Sequence, residues 1–226
     1  MGSEMCIRDS PWALPELLDR EKEVVGIYIS AHPLDGFRFE MENYNITGVS
    51  ELEASRGRTI RIAGYVTDAL HMTTKKGSKF GKFVLNDYSG NTEIVLWEKN
   101  YVAYGNYLVN GQKLMIQGSY EEHKYRPGVM EFNIQNVMLL DQVRKSLSRK
   151  LHLELQLFRI DPDFVEFMND NLKKNPGTTE LVLKVVDEVE KMAIGLKTQK
   201  ARIEINDELI QYLQLHDEIK YKLETV

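Results

Sequence analysis

From Thr73 the chain reads Thr-Thr-Lys-Lys-Gly-Ser-Lys-Phe-Gly-Lys-Phe-Val-Leu-Asn-Asp-Tyr-Ser-Gly-Asn-Thr-Glu-Ile-Val-Leu-Trp, and its apolar residues recur at every second position on both sides of one turn. Phe83 and Leu85 alternate with Lys82 and Val84, while Thr92, Ile94 and Leu96 alternate with Glu93, Val95 and Trp97. Successive strand side chains point to opposite faces of a sheet, so this spacing predicts two strands, Lys79–Asn86 and Thr92–Trp97, each with one buried face. Asp87-Tyr88-Ser89-Gly90 joins them as a turn. A long run, Thr59–Thr73, precedes the hairpin and has the length to bend and serve both halves of a closed barrel, with Gly64 at the expected bend. Glu98–Val109 reads as a helix ended by Asn110-Gly111, and Gln112–Glu122 and Val129–Leu140 read as two closing strands around a loop, Lys124–Gly128.

That order of parts is the outline of a five-stranded OB-fold β-barrel, a fold that presents the face of its second and third strands, and its first loop, to single-stranded nucleic acid or oligosaccharide. Lys75, Lys76, Lys79 and Lys82 all lie between Ala69 and Asn86, and no carboxylate does. Such local charge favours a phosphate backbone over a neutral sugar. Phe80, an aromatic in a basic loop, either stacks on a base or tucks under the barrel lip. Trp97 either stands on the binding side or lies beneath the helix that follows it. Tyr125 and Arg126 belong to the loop between the fourth and fifth strands, a common second jaw of such clefts. Phe83 is expected in the core.

The net charge of −5 argues against a protein that coats DNA nonspecifically, but the sum conceals a division. Residues 1–57 carry 5 basic and 11 acidic side chains, residues 58–141 carry 10 and 8, and residues 149–226 carry 12 and 15, so only the middle segment is net positive. No window approaches the roughly 20 apolar residues of a membrane helix, and a cytoplasmic location is expected. Cys6 is the single cysteine, so no internal disulfide and no zinc cluster is expected. The histidines lie at no telling spacing from a carboxylate or nucleophile, which excludes a triad.

Residues 1–10 match no pattern and are expected to be a non-native leader. Residues 11–57 read as a helical segment and connector: a helix over Pro15–Ser30 stopped by Pro33, a short one over Leu34–Asn43, and a link from Gly48 to Arg58 into the OB domain, 58–141. A charged linker, 142–148, leads to a small C-terminal α+β domain, 149–226. Its expected order is strand Lys150–Ile160, helix Pro162–Lys174, a break at Pro176-Gly177, strands near Glu180–Val186, Lys191–Thr198 and Arg202–Ile205, helix Asp207–Leu215 capped by Asn206, and strand Glu218–Glu224.

The run Glu21-Lys22-Glu23-Val24-Val25-Gly26-Ile27-Tyr28-Ile29-Ser30-Ala31-His32-Pro33-Leu34, followed by this barrel and tail, resembles the C-terminal region of the alpha subunit of bacterial DNA polymerase III. The resemblance covers residues 12–226. It implies a noncatalytic portion of a DNA-directed DNA polymerase, a nucleotidyltransferase of DNA replication, with an OB domain that contacts single-stranded template and a tail that docks the clamp-loader tau subunit and other replisome subunits. It implies no cofactor in this chain, the Mg2+ belonging to the parent polymerase. No strand carries a pair of carboxylates that would hold two metal ions; Asp161 and Asp163 flank Pro162 at a helix start, where capping explains them. A free-standing OB accessory or tRNA-binding module of another enzyme, and a purely structural interaction protein, are the competing readings of the same barrel.

Overall fold

Alternation decides the first sheet of the computed structural model, which describes residues 32–123, 127–187 and 189–226. The expected leader and the helix over Pro15–Ser30 lie outside the described residues. Strands β1 (Thr59–Thr73), β2 (Lys79–Asn86), β3 (Asn91–Trp97), β4 (Lys113–Glu122) and β5 (Met130–Leu139) form an antiparallel sheet in the order β3-β2-β1-β4-β5. Its inward residues Phe83, Leu85, Ile94, Leu96, Leu114, Ile116 and Ile134 are buried in one cluster. The connector before β1 forms two 3-10 turns that add Val49 and Leu52 to that core. Asp87 secures the β2–β3 turn, its carboxylate accepting from the backbone N–H groups of Ser89, Gly90 and Val49.

β1 changes partner midway: Thr59–Tyr65 pairs with β4, and Tyr65–Thr73 with β2. Gly64 sits at that switch for reasons of space, since a Cβ there would lie 2.3 Å from the Asn86 carbonyl oxygen. The register irregularity falls between Thr67 and Leu70, where Asp68 has φ 52°, and not at Gly64 as expected. The freed N–H of Ala69 donates to Asn110 Oδ1 at 2.9 Å. The helix after β3 is shorter than expected: α2 (Glu98–Tyr104) gives way to a 3-10 turn over Gly105–Tyr107. The tighter turn brings Leu108 into the barrel core, where His71 bridges its carbonyl (3.2 Å) and the Tyr101 hydroxyl (2.9 Å).

The tail is a second sheet, β8-β7-β6-β9, of β6 (Ser148–Gln156), β7 (Pro176–Asp187), β8 (Met192–Ile203) and β9 (Lys220–Thr225). Only β6 and β7 run parallel, joined across the sheet by α4 (Pro162–Lys174). Leu151, Leu153, Leu155 and Leu181 face Phe164 and Met168 of α4, and Leu209 and Leu213 of α5 (Asp207–Leu215). Both helices start on side-chain caps, Asp161 Oδ1 accepting from Phe164 N and Asn206 Oδ1 from Leu209 N, each at 2.8 Å. Three expectations change here. Pro176-Gly177 opens β7 instead of breaking the chain, and Gly177 is required because a Cβ would stand 2.4 Å from Glu204 N. The strands expected at 191–198 and 202–205 are one strand, β8, with a register shift opposite Glu180–Val182. The strand expected to reach Ile160 stops at Gln156, and Leu157–Arg159 is a 3-10 turn.

Between the sheets, the stretch 142–148 expected as a linker forms α3 (Val143–Leu147) and the first residue of β6. Val143 and Leu147 are buried with Leu34, Phe39 and Tyr44 of the segment around α1 (Arg38–Asn43), with Ala63, Tyr65 and Met115 of the barrel, and with Ile205 and Ile210 of the tail. Arg144 is the polar centre of this layer. Its Nε donates to Glu40, whose side chain is 2% exposed, and its Nη1 to Asp207 Oδ1 at 2.5 Å, while the guanidinium lies 5.6 Å from the Phe39 ring centroid. Burial disfavours the charge on Arg144, but these carboxylates outweigh it and hold the group further into its charged range. Tyr44 OH and Ser148 Oγ meet at 2.6 Å beside it.

Arg144→Met strands the buried Glu40 carboxylate and is expected to cost about 3–5 kcal/mol of stability in urea unfolding, while Arg144→Met with Glu40→Leu recovers most of that loss. A cost no greater in the single than in the double variant would show the pair to be dispensable. Tyr44 supplies a second expectation. Burial pushes its phenol from 10.0 up to about 12, Glu40 adding to the rise. The native state therefore keeps a proton that the unfolded state releases, and stability falls between about pH 10 and 12, by about 2–3 kcal/mol at about 1.4 kcal/mol per unit. Tyr44→Phe is expected to lose less stability over that window than the parent chain, as read by denaturant midpoints at pH 9 and 12.

Candidate nucleic-acid interface

Because β1 continues past its switch to pair with β2, three strands share one outward face at one end of the barrel. Register places Met72, Phe80 and Trp97 in one row across it, Leu70, Lys82 and Val95 in a second, and Thr67, Val84 and Glu93 in a third. The alternate residues Phe83, Leu85, Ile94 and Leu96 are buried on the opposite face, so the rows above are necessarily the outer set. Trp97 is 42% exposed and stacks on Phe80, ring centroids 4.9 Å apart and planes at 20°. Trp97 thus stands on the outer face instead of beneath α2, and Phe80 lies under the tryptophan. Leu70 and Met72, which the sequence reading passed over, are exposed in the same rows. Carrying the period of two from Phe80 across the β1–β2 loop to residues 72 and 70 would have found them.

The β1–β2 loop is a tight, internally bonded turn. Thr74 N donates to Ser78 O at 2.8 Å, Gly77 N to Thr74 O at 2.9 Å, and Ser78 N to Thr74 Oγ1 at 3.1 Å, with Gly77 at φ 87°. Lys75, Lys76 and Lys79 are exposed on it and, with Thr74, Ser78, Glu98 and Trp97, line a hollow of about 350 Å³. Lys82, by contrast, is held by Glu93 across the sheet, Nζ to Oε2 at 2.5 Å. Tyr125 and Arg126 lie outside the described residues; what is described of their loop is its neck, where His123 N donates to Val129 O at 2.7 Å. The face combines an aromatic stack, exposed aliphatic side chains and three ordered lysines at one edge. Flat apolar rings accept bases, and ammonium groups at a rim accept phosphates. Among the described residues no three His, Cys, Asp or Glu side chains gather as metal ligands, and no helix is long and apolar enough to cross a membrane.

Comparison with known proteins divides the chain at the same place as its sheets. Residues 60–140 match the family model described as OB-fold nucleic acid binding domain, and residues 151–224 match that of the DNA polymerase III alpha subunit, C-terminal domain. DNA polymerase III subunit alpha of Haemophilus influenzae is 26% identical over 170 residues, 75% of this chain and 15% of that protein. Its counterpart in Pseudomonas fluorescens is 26% identical over 201 residues, 89% of this chain and 17% of that protein. Among solved structures, the replication factor A related protein of Methanobacterium thermoautotrophicum overlaps 42% of this chain and 91% of its own at 20% identity, with a TM-score of 0.31. The chain spans 15–17% of the length of the two polymerase subunits, and the matched part is their C-terminal, noncatalytic region. With an OB-fold barrel and the polymerase's C-terminal domain matched in succession, the chain belongs to the DNA polymerase III alpha subunit family, to whose C-terminal region it corresponds.

Proposed function

We propose that this chain holds single-stranded template DNA on the outer face of β1–β3 and docks a clamp-loader tau subunit through its tail, within a cytoplasmic replisome. The observation that carries the DNA half is the Phe80–Trp97 stack standing exposed beside Lys75, Lys76 and Lys79. Base stacking on such rings is worth about 1–3 kcal/mol per base and is tolerant of sequence. The docking half is supported by the family to which the chain belongs and by a tail that is net negative, 12 basic against 15 acidic side chains. Primer extension, and the Mg2+ it uses, belongs in this reading to the parent polymerase and not to the residues present here.

The DNA half predicts a salt signature. With Lys75, Lys76 and Lys79 on phosphates and Lys82 occupied by Glu93, log affinity for oligothymidylate should fall against log salt with a slope of about −2, at about −0.7 per contact. Changing the three loop lysines to alanine should flatten that slope. Phe80→Leu with Trp97→Leu should leave the slope and lower affinity about tenfold or more, with little change in melting temperature. Fluorescence anisotropy over a salt series separates these effects; an unchanged slope in the lysine variant removes the loop from the site. Tighter binding of tRNA than of oligothymidylate would replace the template reading with the RNA-module one.

A further inference from the structure

The tail leaves a second apolar surface uncovered, at the end of its sheet away from the helix starts that cap α5. Phe158 is 74% exposed and Val189 87%; with Leu157 they flank a groove of about 420 Å³ beneath the β7–β8 turn. From that turn the outermost strand, β8, carries Met192, Ile194 and Leu196, all exposed and, two residues apart, all on one face. Soluble proteins guard an edge strand with charge, proline or a covering element. This edge instead presents aliphatic side chains at alternate positions, and contiguous exposed apolar surface of this kind marks docking sites. The charged residues lining the groove are Asp187 and Glu190, with no lysine or arginine among its walls.

We infer that β8 takes up an extended segment of a protein partner as an added strand. The edge supplies backbone hydrogen bonds, Met192, Ile194 and Leu196 meet alternate apolar residues of the segment, and the groove at Phe158 and Val189 receives a bulky apolar anchor. Asp187 and Glu190 require a lysine or arginine next to that anchor. This rests on the docking reading above and specifies where on the tail docking occurs and what chemistry the partner offers.

The test titrates the full chain with the tau subunit, using wild type, Phe158→Asp, Ile194→Lys, Glu190→Lys, and Val102→Lys on exposed α2 as control. The expected result is at least tenfold weaker binding in the first two variants, several-fold in the third and none in the control, at unchanged melting temperature. Hydrogen exchange should show the amides of 192–196 slowed in the complex. Equal binding by all variants would overturn the assignment to β8 while leaving tau docking intact. Absence of binding by wild type would overturn tau docking, and the inference with it. Weakened binding without slowed β8 amides would overturn the added strand in favour of a side-on helix. Concentration-dependent dimers of the chain alone that Ile194→Lys dissociates would assign the edge to a second copy and overturn the inference.

Discussion

Arg144 ties together three segments that are far apart in sequence: Glu40 on α1, its own helix α3 after the barrel, and Asp207 at the start of α5. A guanidinium can do this where a lysine could not, because its planar fork presents several donors at fixed angles to two carboxylates at once. The cost of burying it is offset locally by those two carboxylates and by the Phe39 ring. Around it, Tyr44 and Ser148 bond directly, and Leu34, Phe39, Val143 and Leu147 close the layer. Barrel and tail therefore share buried side chains through a common wall. The nucleic-acid face and the β8 edge take their relative orientation from that wall.

On the barrel, the site depends on one strand being longer than the pairing of either neighbour. β1 gives its first half to β4 and its second half to β2, so residues 65–73 extend the sheet under the lysine turn. The same extension puts Leu70 and Met72 into the outer rows, widening a two-strand surface to three. Exposed aliphatic and aromatic groups on an otherwise charged barrel are unfavourable for the free protein and become favourable when a base covers them.

The barrel was legible in the sequence because each strand buries one face, and a period of two survives in the residues 79–97 without knowledge of any partner. Helix starts at Asp161 and Asn206 were legible for the same local reason, a short polar side chain placed to accept from the first turn. What escaped was set by contacts distant in sequence. Residues 142–148 carry Arg144 and Lys145, and charge reads as solvated until Glu40 and Asp207 are known to lie against it. Pro176-Gly177 reads as a break until the backbone of Ile203 and Glu204 is seen to require a glycine beside it. The exposure of Trp97 was undecidable by alternation alone, since the space beneath α2 is filled by Tyr101 and Leu108 from outside the strand.

The Lys82–Glu93 pair gives the barrel face an asymmetry. A phosphate arriving at Lys82 must displace a fixed carboxylate, and no mobile counterion is released in exchange. Electrostatic grip is thus confined to the loop end, at Lys75, Lys76 and Lys79, while the rows beyond offer contact without net charge. A strand held in this way is pinned at one end and free to pivot about it, and it can advance by exchanging one phosphate at the pin for the next without releasing the whole face.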